Sequence, residues 1–221
     1  MRILAILVAM GALLVMPAAA RADLYSSFDT SAQSWNIIQY PWVGGATKYW
    51  NTPSTFTPTW VGSGGYLSGY ISEFDPGSGI FFFNAPSAWL GDDSAYIGEH
   101  LTFCLKTNRN NWTQDSNVVL RNGNQVILCG ITPPPLNAWT GYDVQLKASN
   151  FKWASNGTSV TDAEFQAIMS NLTGIHLPGE YGANVEETTS LDEVRITPAP
   201  AAVVLGLMGL GTLGLWMRRY A

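Results

Sequence analysis

The chain has 221 residues, enough for one well-cored domain, and carries only 12% charged residues with a formal net charge of −5. Between Asp23 and Pro200, seven Lys/Arg stand against sixteen Asp/Glu, a charge of −9. Such a surface repels phosphate backbones, and no basic stripe interleaved with aromatics is present, which argues against nucleic-acid binding.

In chain order, the first segment has Arg2, an apolar run to Met16, Pro17, and an Ala20-Arg21-Ala22 triplet. This is the layout of a secretory signal peptide, residues 1–22, with cleavage expected near Ala22; an uncleaved membrane anchor is the alternative. "LYSSFDTSAQSWNIIQYPW" then has the look of an opening strand with Trp35 buried. The stretch 35–60 holds four tryptophans, two tyrosines and a phenylalanine among Gly, Pro and Thr. Trp42, Tyr49 and Trp50 are the candidates there for stacking on sugar rings, since turn residues surround them; the alternative is that they pack over sheet edges.

Short strands follow, broken by Gly, Pro and Asn. "GYLSGYIS" (65–72) alternates as a two-faced strand, and "IFFFNAP" (80–86) reads as a strand buried on both faces and ended by Pro86. "HLTFCLKTN" (100–108) puts Leu101, Phe103 and Leu105 on one face. "NVVLRNGNQVILCG" (117–130) is a hairpin, with Asn122-Gly123 suited to a tight primed turn. "WTGYDVQL" (139–146), "GIHLPGEY" (174–181) and "SLDEVRI" (190–196) complete the strands. One short amphipathic helix is expected over 161–172: Thr161 and Glu164 form a capping box, and Phe165, Ile168, Met169 and Leu172 one apolar stripe. The two cysteines, Cys104 and Cys129, sit in strand-like runs. In an oxidising compartment an even pair favours a disulfide, which would contribute roughly 3–4 kcal/mol; two buried thiols are the alternative. The pattern is that of an all-β protein, an antiparallel β-sandwich of jelly-roll type, over 23–197.

The order "GYLSGYISEFDPGSGIFFFNAPSAWLGDDSAYIGEHLTFCLK", then "EFQAIMSNLTGIHLPGEY" and "LDEVRI", resembles the laminin B domain, also called laminin domain IV, over residues 62–196. The resemblance implies a jelly-roll sandwich from extracellular matrix and surface proteins, with no catalytic activity attached.

The chain closes on Pro198-Ala199-Pro200, an uncharged run over 201–217, and Arg218-Arg219. As a helix the run spans about 25 Å, close to the roughly 30 Å of a hydrocarbon core, with the arginines on the cytoplasmic side. Residues 198–221 resemble the PEP-CTERM sorting signal, with Ala199 in place of that family's glutamate. The resemblance implies an exosortase-type processing protease as partner, a membrane-anchored precursor, release to the cell surface or medium, and an exopolysaccharide or biofilm setting. A plain membrane anchor is the alternative.

Chemistry is sparse. His100 and His176 lie on strands among apolar residues, and no G-x-S-x-G surrounds a serine. Asp92, Asp93 and Glu99 cluster, but a glycosidase needs two carboxylates at a set separation, which proximity in sequence does not show, and the laminin B resemblance makes Asp92 a turn residue. No catalytic residue is expected. A structural calcium is the one cofactor to consider: Asp29 and Asp192 lie near the two ends of the body and could meet. Calcium wants six to eight oxygens; otherwise Asp29 caps a turn and Asp192 is a hydrogen-bonded strand residue. The expectation is therefore an exported, non-enzymatic, adhesive surface or matrix protein with exopolysaccharide or other surface proteins as partners. A carbohydrate-binding, lectin-like module is the alternative, and an extracellular polysaccharide hydrolase trails.

Overall fold

The computed structural model describes residues 23–41, 49–75, 79–111, 116–182 and 185–197. The expected signal peptide with Ala22, the 198–221 tail with Pro198, Pro200, Arg218 and Arg219, and Trp42 lie outside them.

Two antiparallel sheets face each other. Sheet I contains β1 (Leu24–Ser26), β4 (Thr59–Val61), β5 (Tyr70–Asp75), β7 (His100–Thr107), β10 (Thr140–Gln145) and β13 (Glu187–Thr197). Its order is β10-β7-β13-β5-β4, with β1 paired to the far half of β13. Sheet II contains β2 (Asn36–Pro41), β3 (Ser54–Phe56), β6 (Gly79–Asn84), β8 (Asn117–Asn122), β9 (Gln125–Gly130), β11 (Lys152–Trp153) and β12 (Gly174–Pro178), in the order β11-β9-β8-β12-β6-β2-β3. Apart from the consecutive pairs β2–β3, β4–β5 and β8–β9, the paired strands are not consecutive in the chain, as in a jelly-roll sandwich.

Strand alternation sorts the apolar residues. Phe81, Phe83, Leu101, Phe103, Leu105, Leu120, Ile127 and Leu191 fill the space between the sheets. The other face of β6 is also covered: Ile80 and Phe82 join Ile38, Tyr40, Tyr49, Val119, Val126 and Ala154 in a second cluster on the outer side of sheet II. That double burial is why the run at 80–83 is apolar without alternation. Helix α1 (Asp162–Met169) starts at the expected capping box, with the Glu164 amide donating to Thr161 Oγ1 at 3.3 Å and the Thr161 amide donating to Glu164 Oε2 at 2.8 Å. Phe165, Ile168 and Met169 face the core, and the turn at Leu90-Gly91-Asp92 docks beyond its end through reciprocal Gly91–Leu172 backbone bonds of 2.9 and 2.7 Å.

Three expectations are corrected. Residues 62–69 form a bent loop, and the strand begins only at Tyr70; Gly64 has φ 84° there, a conformation no straight strand contains. The β8–β9 turn is shifted by one residue: Asn122 still pairs with Gln125, and Gly123 (φ 55°) takes the first central position, where a type II′ turn places glycine. Cys104 and Cys129 are free thiols. Cys104 alternates with Phe103 and Leu105 and so looks outward from sheet I, whereas Cys129 shares the inner face of sheet II with Ile127. A full layer of core lies between them, so no bridge can form without refolding a strand.

Candidate functional site

Of the residues expected to stack on sugars, Trp42 lies outside the described residues, Tyr49 serves the fold instead and Trp50 stays at the surface. Tyr49 is 2% exposed. Its ring packs edge-on to Tyr40 at 5.9 Å and against Phe82 at 6.0 Å, so it cannot be a platform. Burial on an apolar sheet face outweighs anything an exposed ring would gain. Trp50 remains exposed, and its indole N–H donates to the Asn124 carbonyl at 3.0 Å, clasping the β8–β9 turn.

Asp29 and Asp192 do reach a common element, the 62–69 loop, as hydrogen-bond acceptors. Asp192 Oδ2 accepts from the amides of Tyr66 (2.7 Å) and Leu67 (3.4 Å), and Oδ1 from the Glu193 amide (2.8 Å). Asp29 accepts from the Ser68 hydroxyl. Burial pushes the Asp192 carboxyl up to about 6 against the opposing pull of these amides. Among the described residues no group of three or more His, Cys, Asp or Glu is arranged to hold a metal ion.

The same loop walls a groove on the outer face of sheet I. Its volume is about 280 Å³, and its lining includes Tyr25, Tyr66, Thr102, Cys104, Gly141, Glu193 and Arg195. A β-bulge makes it. Between Asp192 and Arg195 the β13 register against β7 slips, and Glu193 adopts φ 52°. The extra residue keeps Leu191, Val194 and Ile196 in the core while Asp192, Glu193 and Arg195 all turn to the outer side. Glu193 Oε2 accepts the Tyr25 hydroxyl at 2.7 Å. Arg195 lies 5.8 Å from the Tyr25 ring centre and pairs with Asp23. Burial, then the Glu193 contact, raises the Tyr25 hydroxyl to about 12. The Cys104 thiol is likewise raised to about 11, first by burial and then by Asp192 and Glu193, so it is no nucleophile.

Gly141 pairs with Cys104 and forms the floor. At the neighbouring end of the same face, Tyr70 and Trp139 meet edge-on at 5.4 Å, with the Lys106 ammonium 5.2 and 4.8 Å from their ring centres. The Trp139 indole N–H donates to the Gly64 carbonyl at 3.2 Å, tying the loop to the β10 side of the sheet. Tyr25 and Tyr66 stay about half exposed, at 48% and 52%. The outcome is two accessible rings beside carboxylates and a hydroxyl over a bare floor.

Of the groove residues Cys104 alone stood out in the sequence, as half of an expected disulfide and not as part of a site. Two signals were present: Tyr66-Leu67 lie inside a Gly/Ser run, and the inward residues of "LDEVRI" are spaced three and then two, the mark of a bulge.

The family model described as Laminin B (Domain IV) matches residues 82–204, more than half of the chain. Laminin subunit gamma-1 of Xenopus tropicalis is 22% identical over 186 residues, 81% of this chain and 10% of that protein, so the match spans a tenth of the relative's length. Among solved structures, the L4b domain of human laminin alpha-2 is similar with a TM-score of 0.61 at 14% identity, over 80% of this chain and 98% of that one. A family 11 carbohydrate-binding module of a Clostridium thermocellum cellulase has a TM-score of 0.49 at 14% identity, over 82% and 97%, too loose a likeness to argue from. With the jelly-roll fold, the helix-to-strand segment and the sequence match all in agreement, the chain belongs to the laminin B (domain IV) family of extracellular domains.

Proposed function

We propose that this protein is an exported, non-enzymatic surface or matrix module that adheres by binding polysaccharide in the groove on the outer face of sheet I. The observation that carries the reading is the pair of half-exposed rings, Tyr25 and Tyr66, set beside Glu193, Arg195 and Thr102 over the Gly141 floor. Sugars present apolar C–H faces to rings and hydroxyls to carboxylates, and both partners occur here together. A non-catalytic role agrees with the histidines: His176 is buried and held down to about 3 by burial and then by Arg121, and His100 is paired with Asp143.

The precursor would be directed out by residues 1–22 and held in the membrane by 201–217 until an exosortase-type protease removes the tail, in an exopolysaccharide or biofilm setting. Retention of Arg218 and Arg219 in the intact mass of protein recovered from the host surface would mean a permanent anchor instead. A structural calcium on Asp29 and Asp192 would have to displace the loop amides, and calorimetry with and without chelator tests it.

Binding is tested by affinity electrophoresis of the full chain in gels containing soluble polysaccharides. Retardation by at least one polymer, reduced at least tenfold in affinity by Tyr66→Ala and unaffected by Trp50→Ala, is the expected result. Retardation lost in Trp50→Ala and kept in Tyr66→Ala would move the site to the 35–60 aromatics.

A further inference from the structure

We infer, resting on the polysaccharide-binding reading above, that the groove selects neutral, hydroxyl-rich polysaccharides and excludes those carrying uronate or sulfate groups. The charges at the groove carry this. Glu193 is the carboxylate in the groove lining; around it, Asp192 on the same bulge holds the loop amides, Asp143 on β10 pairs across from Thr102, and Asp29 takes the Ser68 hydroxyl. The cations on this face are committed. Arg195 is paired with Asp23 and spread over the Tyr25 ring, and Lys106 lies against the rings of Tyr70 and Trp139. In the full chain a uronate in the groove would meet the Glu193 carboxylate, while Arg195, the cation in the groove lining, is already paired with Asp23. A neutral sugar meets the same carboxylate as a donor, through charge-assisted O–H bonds.

Gly141 points the same way. It is the second residue of β10 with φ outside the left-handed region, and a Cβ there would meet only the Cys104 sulfur, at 4.0 Å. The fold has room for a side chain at this position. A side chain would fill the groove floor, so glycine keeps open a bed for a flat ring beneath Tyr66.

The test measures affinity of the full chain, at low and high salt, for neutral polymers (a soluble β-glucan, a galactomannan, an arabinoxylan) and for polygalacturonate, alginate and dextran sulfate. The expected result is binding to at least one neutral polymer and at least tenfold weaker binding to every charged one. Gly141→Leu should abolish neutral binding with the thermal midpoint kept, and Gly141→Ala, the smaller change, should weaken it. Glu193→Gln keeps an acceptor for Tyr25 and removes the charge, so it should narrow the gap between neutral and charged polymers. Equal or tighter binding of a uronate polymer would overturn the selectivity and leave the polysaccharide reading standing. Unchanged binding in a folded Gly141→Leu protein would overturn the assigned bed. Binding to no polymer by the wild type would overturn both.

Discussion

Asp192 accepts the amide of Tyr66 at 2.7 Å across 126 residues of sequence, and through that bond the last strand of the sandwich holds the loop that walls the groove. Removing the carboxylate strands two loop amides, a cost of about 1–3 kcal/mol. Asp192→Ala should speed hydrogen exchange at Tyr66 and Leu67 by tenfold or more and weaken polysaccharide binding. Asp192→Asn, which keeps one acceptor oxygen, should lose less. Exchange rates unchanged in Asp192→Ala would show that the loop is held by other contacts.

Stability should rise as pH falls from 8.5 to 6.5. Burial raises the folded-state carboxyls of Glu187 to about 8, Glu73 to about 7 and Asp192 to about 6, all above their ordinary values. In this window the folded chain binds more protons than the unfolded one, so ionisation at high pH costs stability. His176 acts with the opposite sign. Held down to about 3, it stays neutral when folded while the unfolded imidazole protonates below about 6.5, so acid removes stability. Melting temperatures should therefore peak at mildly acidic pH, and Glu187→Gln should flatten the alkaline limb. A midpoint that climbs steadily toward pH 8.5 would contradict this assignment.

Two glycines with ordinary backbone angles should respond in opposite ways. A Cβ on Gly179 would run into the Phe81 ring in the closed core, whereas one on Gly141 would meet only the Cys104 sulfur, at 4.0 Å. Gly179→Ala should destabilise by about 1–3 kcal/mol in urea melts, and Gly141→Ala should change stability by less than about 0.5 kcal/mol.

The two cysteines should be recovered as thiols. Denaturation in iodoacetamide without reductant should add two alkyl groups to the intact mass, and under native conditions Cys104 should label slowly because its thiolate is scarce. A mass that changes only after reduction would mean that the strands carrying these residues share a face, contrary to the register of β7 and β9.

Much of the sandwich was legible in the chain. Leu101, Phe103 and Leu105 alternate because a strand faces two environments, the run at 80–83 is unbroken because both of its faces are covered, and Thr161 with Glu164 names a helix start through local hydrogen bonds alone. These are short-range rules, and the sequence by itself determined them. The site was decided elsewhere. Tyr25, Tyr66, Gly141 and Glu193 are separated by tens of residues, and only the order of strands in sheet I sets them around one groove. The same holds for the errors. Glycine spacing in 65–69 imitates strand alternation until Asp192 bends the segment into a loop, and the paired cysteines suggest a bridge until their strands fall on different sheets. Periodicity reports which side of a strand is buried. It does not report which strand lies next to it, because that is settled by non-local pairing of the whole chain.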